Sequence, residues 1–257
     1  MTREDIHEHR EPGLRIWSRP GVAPSEVKAL LSEGGEPMKT SHKSVTWRKG
    51  GYVVKQSPPG AWLEAAKLTA QRSRCRRAWD AALHLHAHGG LAPEPLAYLE
   101  RRRFGLVTGN ALVSRYLEGC VNVEEQARRL AAEGASEDAV HAYLRAIADT
   151  VNAVSACGAV HHDLSGKNIF TAGGARFYVI DLDAVRLGAR YRDADRLHNH
   201  VQLYDSFCDL WDARLLAPFI LAMTPPRLAG GAWLEAVREG QRRRRARALA
   251  LRAQRAR

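Results

Sequence analysis

The sequence predicts an α+β protein with two lobes, a small β-rich lobe followed by a larger helical one. Three observations carry this reading. A pair of β-rich runs flanks a basic Gly-Gly turn near residue 50. Strand-like runs then enclose a single helical stretch as far as residue 117. Beyond Gly119 the apolar spacing becomes helical. With 257 residues, the chain can bury a sizeable core.

Residues 1–38 are polar and show no clear period, so they read as an N-terminal extension. The N-lobe is expected over 39–118. Val45-Thr46-Trp47 and Tyr52-Val53-Val54 flank Arg48-Lys49-Gly50-Gly51, a hairpin signal. A helical stretch follows Pro58-Pro59, from about Ala61 to His88, and Gly89-Gly90 and the following prolines stop it. Pro95–Tyr98 and Leu106–Tyr116 read as two further strands around the Arg101-Arg102-Arg103 turn. The C-lobe is expected over 119–237. Glu124–Ala132 and Glu137–Cys157 have helical spacing, with Ser136 as an N-cap. A strongly apolar β run ends at Asp181, and residues 192–222 and 231 to about 250 read as helices.

The formal net charge is +11, and residues 238–257 carry +8 of it. The folded body is therefore close to balanced, and the excess sits in an Arg-rich tail. Such a tail suits a polyanion. No aromatic residue interleaves it and nothing else is nucleic-acid-specific, so peripheral contact with an anionic membrane surface is preferred. No apolar run approaches a membrane span, and no secretory signal is visible. The four cysteines are scattered and form no CxxC, which predicts a reducing, cytoplasmic setting.

The most informative segment is His161-His162-Asp163-Leu164-Ser165-Gly166-Lys167-Asn168. Asp181 follows thirteen residues after Asn168, and Lys55 ends the upstream hairpin. Taken singly, Asp163 and Asn168 read as turn residues and Lys55 as a solvated strand-end lysine. Taken together they match what phosphoryl transfer from ATP requires. One carboxylate orients the attacking hydroxyl, a carboxylate and an amide oxygen hold Mg²⁺, and an ammonium neutralises phosphate charge. Asp163 is then the base, Asn168 and Asp181 the metal ligands, and Lys55 the phosphate lysine. Asp183 is a second metal contact or substrate partner, set against the plainer reading of a cap or salt bridge. His161 reads as structural, holding the loop or the Asp181 strand. His84 and His88, four apart, lack the third ligand of a zinc site.

HHDLSGKN, VIDLD and YVVK resemble the catalytic loop, the metal-binding segment and the lysine strand of the protein-kinase-like superfamily. More narrowly, residues 39–205 are similar to the lipopolysaccharide kinases that phosphorylate Kdo or heptose. IDLD stands where that family tends to IDFD, and RRAWDAALHLHAHGGLAPEPLAY resembles its helix and proline turn. The resemblance implies ATP and Mg²⁺ as cofactors and a lipid A-linked sugar as acceptor. It implies work in the cytoplasm, at the inner face of the cytoplasmic membrane. It also places a phosphate loop at Thr40–Ser44, with Ser41 and Ser44 as hydroxyl donors. Ser114-Arg115-Tyr116-Leu117 becomes a linker that offers backbone groups to adenine.

Three departures from the superfamily stand out. No GxGxxG precedes Lys55. Ala78 stands where a Glu usually pairs with the lysine, which leaves Glu64 or Asp80 as substitutes. No APE segment follows Asp183, which argues for a small or lipid-linked acceptor. Two rivals stay open: an aminoglycoside- or choline-kinase-like phosphotransferase, and a kinase-like regulatory protein that binds nucleotide without turnover.

Overall fold

The computed structural model describes residues 6–32, 34–41, 44–57 and 62–255, without the side chains of Trp62, Leu63, Glu64, Lys67 and Arg255. The chain divides into two compact units. The first runs to Glu118 and includes Asp181–Val185; the second comprises Gly119–Ile180 and the chain from Arg186 onward.

The first unit is built on a seven-stranded antiparallel sheet. Its strands are β1 (His7–Glu11), β2 (Leu14–Ser18), β3 (Glu36–Ser41), β4 (Ser44–Lys49), β5 (Tyr52–Ser57), β6 (Pro95–Arg103) and β7 (Leu106–Arg115). They lie in the order β1-β2-β6-β7-β5-β4-β3. The Arg48–Gly51 turn closes β4 onto β5, with Trp47 paired to Val54 and Thr46 to Lys55. Period-two alternation buries Trp47 and Val54 on one face and leaves Lys55 to point the other way.

Three helices complete this unit: α1 (Pro24–Ser32), α2 (Trp62–Ala70) and α3 (Arg74–Ala87). The helical stretch expected from Ala61 to His88 breaks at Gln71–Ser73, where Ser73 caps α3 by accepting from the Arg76 amide. The described part of the polar extension, residues 6–32 and 34–38, also forms regular structure. Ile16 and Val27 are fully buried in the sheet core, and the Trp47 indole donates to the Leu30 carbonyl. This order comes from pairing with β6 and β4 and not from any local apolar pattern.

The second unit is mainly helical. It contains α4 (Val123–Ala132), α5 (Glu137–Ala156), α6 (Asp193–Phe207), α7 (Ala213–Ala222) and α8 (Gly231–Arg255). Ser136 caps α5 by accepting from the Ala139 amide. Gly158, at φ +76°, turns the chain out of that helix, a conformation most side chains resist. The helix expected over 192–222 is two helices, because Asp212 accepts from the Arg214 and Leu215 amides and starts α7 afresh. Strands β8 (Val121–Asn122), β10 (Ile169–Ala172) and β11 (Arg176–Val179) form a small sheet. The short strands β9 (Ala159–His161) and β12 (Val185–Leu187) pair with each other. Among the described residues, no helix is long and apolar enough to cross a membrane.

Candidate active site

In the first unit, Lys55 is held by two carboxylates. Its Nζ lies 2.7 Å from Asp181 Oδ1 and 3.2 Å from Asp183 Oδ1. Arg74, the first residue of α3, reaches Asp183 Oδ2 at 3.7 Å. Asp181 adopts a left-handed backbone (φ +57°, ψ +46°) and opens a 3-10 turn over Leu182–Ala184. The chain turns at Asp181, and that turn brings both carboxylates to one ammonium. A left-handed non-glycine residue is costly and is found where the surroundings enforce it.

Burial alone would lower the pKa of the Lys55 ammonium, but the hydrogen bond it donates to Asp181 and the charge of Asp183 raise it above its ordinary value. Burial works against the Asp181 carboxylate too, yet the Lys55 contact holds its pKa below the usual range. Asp183 goes the other way. Burial and the neighbouring Asp181 carboxylate push it up despite Lys55.

Among the described side chains, the acids paired with Lys55 are thus Asp181 and Asp183. Ala78 is 2% exposed in α3, which packs against the Leu182–Ala184 turn. Asp80 is not the partner: Arg72 and Arg76 hold it at 3.2 and 3.3 Å. The Glu64 side chain lies outside the described residues. At the β3–β4 turn, the Ser44 amide donates to Ser41 Oγ and that hydroxyl donates to the Ser44 carbonyl, each at 3.1 Å. His42 and Lys43 of the expected phosphate loop lie outside the described residues.

The linker differs from expectation. The Arg115 amide donates to the Glu94 carbonyl and the Tyr116 amide to the Gly51 carbonyl, both at 2.8 Å. Neither N–H is free for adenine, because the sheet and the β4–β5 turn have taken them. Among the described residues, the Leu117 amide makes no such bond. The Arg115 side chain lies over the Tyr52 ring, and the Tyr116 ring lies under Arg48.

In the second unit, His161 organises the loop. Its Nδ1 accepts from the Asp163 amide at 3.1 Å, so Nε2 carries the proton and donates to the Ile180 carbonyl at 3.0 Å. One imidazole thus ties the loop to the residue before Asp181. The Ile180 amide in turn donates to the Asn168 carbonyl. Asn168 donates through Nδ2 to the Asp163 carbonyl at 2.8 Å and lies 3.4 Å from Asp163 Oδ2. Its amide oxygen is left without a partner among the described residues.

Two residues here carry no local sequence signal. Gln202, on α6 and 4% exposed, donates to Asp163 Oδ1 at 2.7 Å. Ser206, one turn later, accepts from the Gly166 amide at 2.9 Å. Only their spacing of four on one helix face could have hinted at a shared role. No cation pairs with Asp163 among the described residues, so neutral amides alone orient its carboxylate.

The donor set fits a divalent cation. In the first unit, Asp181 and Asp183 put two partly buried carboxylates beside one lysine. Hard oxygen donors of this kind suit Mg²⁺, which commonly takes one or two carboxylates and completes its shell with phosphate and water. Accordingly, no cluster of three His, Cys, Asp or Glu side chains able to hold a metal occurs among the described residues. The His84 and His88 rings lie 4.2 Å apart, tilted by 37°.

A family model described as the lipopolysaccharide kinase (Kdo/WaaP) family matches residues 45–218. No curated protein matches the chain. Among solved structures, WaaP in complex with acyl carrier protein is 21% identical, with a TM-score of 0.64 over 87% of this chain and 93% of that one. The ROP18 kinase domain with AMP-PNP and sucrose is 14% identical, with a TM-score of 0.50 over 79% and 78%. Both likenesses show the fold, which is protein-kinase-like.

Proposed function

The chain belongs to the lipopolysaccharide kinase (Kdo/WaaP) family, and from that premise we propose that it transfers the γ-phosphoryl group of ATP to a hydroxyl of Kdo or of a heptose in the inner core. Membership makes it a phosphotransferase acting on sugar. The choice of acceptor sugar and the residue roles are the proposal.

Asp163 accepts or orients the proton of the attacking hydroxyl. The observation that carries this is its setting: Oδ1 is committed to Gln202 while no cation competes for the carboxylate. Asn168 and His161 fix the loop around it. Lys55 neutralises phosphate charge, and Asp181 and Asn168 are the metal ligands, with Asp183 holding Lys55 in place. Mg²⁺, when bound with ATP, would offset charge on the transferring phosphoryl group. Little covalent chemistry falls to the protein, so its contribution is positioning and fixed charge. Leu117 is the linker residue whose amide is left to meet the adenine, and Ser41 and Ser44 flank the phosphates.

The test is transfer of radiolabelled phosphate from ATP to lipid A acceptors bearing Kdo alone or Kdo with heptose. Label in either acceptor supports the reading and names the sugar. Label only in free amino-sugars favours the aminoglycoside-kinase-like rival. Tight ATP binding without acceptor-dependent ADP release favours the regulatory one.

A seat at the inner face of the cytoplasmic membrane belongs to the same proposal. The early arginines of α8 are engaged: Arg242 and Arg243 with Glu239, and Arg244 and Arg245 with Asp205. Arg247 and Arg252 have no ion pair among the described residues, and the neighbouring Leu249 and Leu251 are exposed. A basic helix end with exposed leucines suits anionic lipid. Co-sedimentation with anionic vesicles should weaken when Arg247 and Arg252 become Ala; unchanged sedimentation removes the idea. The WaaP structure contains an acyl carrier protein, so co-elution with such a carrier is a further expectation.

A further inference from the structure

A cavity of about 270 Å³ opens in the second unit beside the catalytic loop. Its lining includes Ser165 and Lys167 of the loop, Gln202 and Asp205 of α6 with Asp209 just beyond that helix, Glu124 and Arg128 of α4, and Arg244 of α8. We propose that this cavity is the acceptor subsite, and that it takes one sugar ring carrying an anionic group, a carboxylate or a phosphate. The proposal rests on the kinase reading and deepens it.

Position is the first argument. Ser165 and Lys167 lie between Asp163 and Asn168 in the chain, and Gln202 bonds the Asp163 carboxylate at 2.7 Å. A ring seated here is one residue from the proposed base.

Charge is the second. Lys167 is exposed and has neither a hydrogen bond nor an ion pair among the described residues. Arg128 meets Glu124 only at 3.5 Å and is largely exposed. These two cations are available to an anion. Glu124, 7% exposed and met by Arg128 only at 3.5 Å, supplies an acceptor for a sugar hydroxyl. Alternating cations and carboxylates suit a polyol acid better than they suit an apolar ligand or a bare phosphate.

Preorganisation is the third. The Gly166 amide is bound by Ser206, and a Cβ at Gly166 would meet Glu124 Cγ at 2.7 Å and Ser206 Cβ at 3.1 Å. The loop is clamped between α4 and α6, so the wall is rigid before a ligand arrives. Gln202 Oε1 is buried without a partner, a deficit that a bound hydroxyl or water removes. α8 completes the wall because Gln241 and Arg245 hold Asp205 at 3.1 and 2.6 Å. The Arg-rich segment is therefore not remote from the chemistry, as its place in the sequence suggests.

The experiment is ligand-observed NMR on the full chain, with three free sugars: Kdo, a heptose phosphate and neutral heptose. The first two separate carboxylate from phosphate as the anion. Binding of one or both anionic sugars, weakened about tenfold in Lys167→Ala and in Arg128→Ala, supports the proposal. Equal binding of neutral heptose, or anion binding unaffected by both variants, overturns it. Because this readout needs no turnover, it separates from the radiolabel transfer. Transfer by the wild type with no cavity effect removes the subsite and leaves the kinase. Loss of transfer to every lipid A acceptor removes the kinase reading itself. Circular dichroism of each variant confirms that the loop change has not unfolded it.

Discussion

Two groups of carboxylates lie in this chain, and they are held in opposite ways. Asp181 and Asp183 are partly buried and gripped by cations, both by Lys55, at 2.7 and 3.2 Å, and Asp183 also by Arg74 at 3.7 Å. Asp163 is exposed and gripped by neutral groups, the Gln202 and Asn168 amides. On the proposed roles, the first arrangement concentrates charge for handling phosphate and metal. The second fixes a carboxylate without a counter-ion, which leaves its lone pairs for a hydroxyl proton. Similar side chains thus serve different chemistry because different partners hold them.

The contrast breaks most sharply at Asp163. Asp163→Asn keeps the shape and removes the proton acceptor. Turnover should fall by about 10³-fold while ATP affinity, read by calorimetry, stays within twofold of wild type. Full turnover in this variant would end the assignment of the base. In the other group, Lys55→Ala should cost about 10²-fold in turnover, and here ATP binding should weaken as well. It should also lower Tm, because two buried carboxylates lose their main cation. A Lys55→Ala protein with normal ATP affinity would mean that the ammonium does not face phosphate.

Gln202 tests the neutral grip. Gln202→Glu is isosteric, so packing is kept while a donor becomes a like charge against Asp163. The expected order of kcat is wild type, then Gln202→Ala, then Gln202→Glu, with the last down on the order of tenfold or more and Tm little changed. If Ala is worse than Glu, the residue serves packing rather than orientation.

Much of this was legible in the sequence, for reasons that differ by residue. The β4–β5 hairpin announced itself because turn chemistry and β-rich runs are local. Ser136 did so because a cap is read from its next three residues. The loop from His161 to Asn168 was legible as chemistry because its bonds are short-range: His161 reaches the Asp163 amide and Asn168 the Asp163 carbonyl. Gln202 was not, since it lies 39 residues from Asp163 in sequence and only the fold of α6 brings them together. The partner of Lys55 was hidden for the same reason. Ala78 marked a missing acid, but only the left-handed turn at Asp181 brings the Asp181 and Asp183 carboxylates to Lys55. Residues 7–18 were missed because their charged strand gains its order from β6, far along the chain.

The finest test lies within the cation-held pair. Asp183 has its pKa raised by burial and by Asp181, so its charged form is disfavoured in the folded state. A carboxyl raised in this way costs stability once it ionises. The cost is absent below the ordinary 3.8 and full above the raised folded value. Asp183→Asn should therefore raise Tm at neutral pH, by about 2–4 °C for a relief near 1 kcal/mol. The gain should vanish as the solution is acidified, where the wild-type group is already protonated. Asp181 has the opposite sign: Lys55 holds it low, so Asp181→Asn should lower Tm at neutral pH and matter less in acid. Turnover should fall in both. If both variants shift Tm the same way, the two carboxylates share Lys55 equally, and the division of labour between metal ligand and lysine partner is wrong.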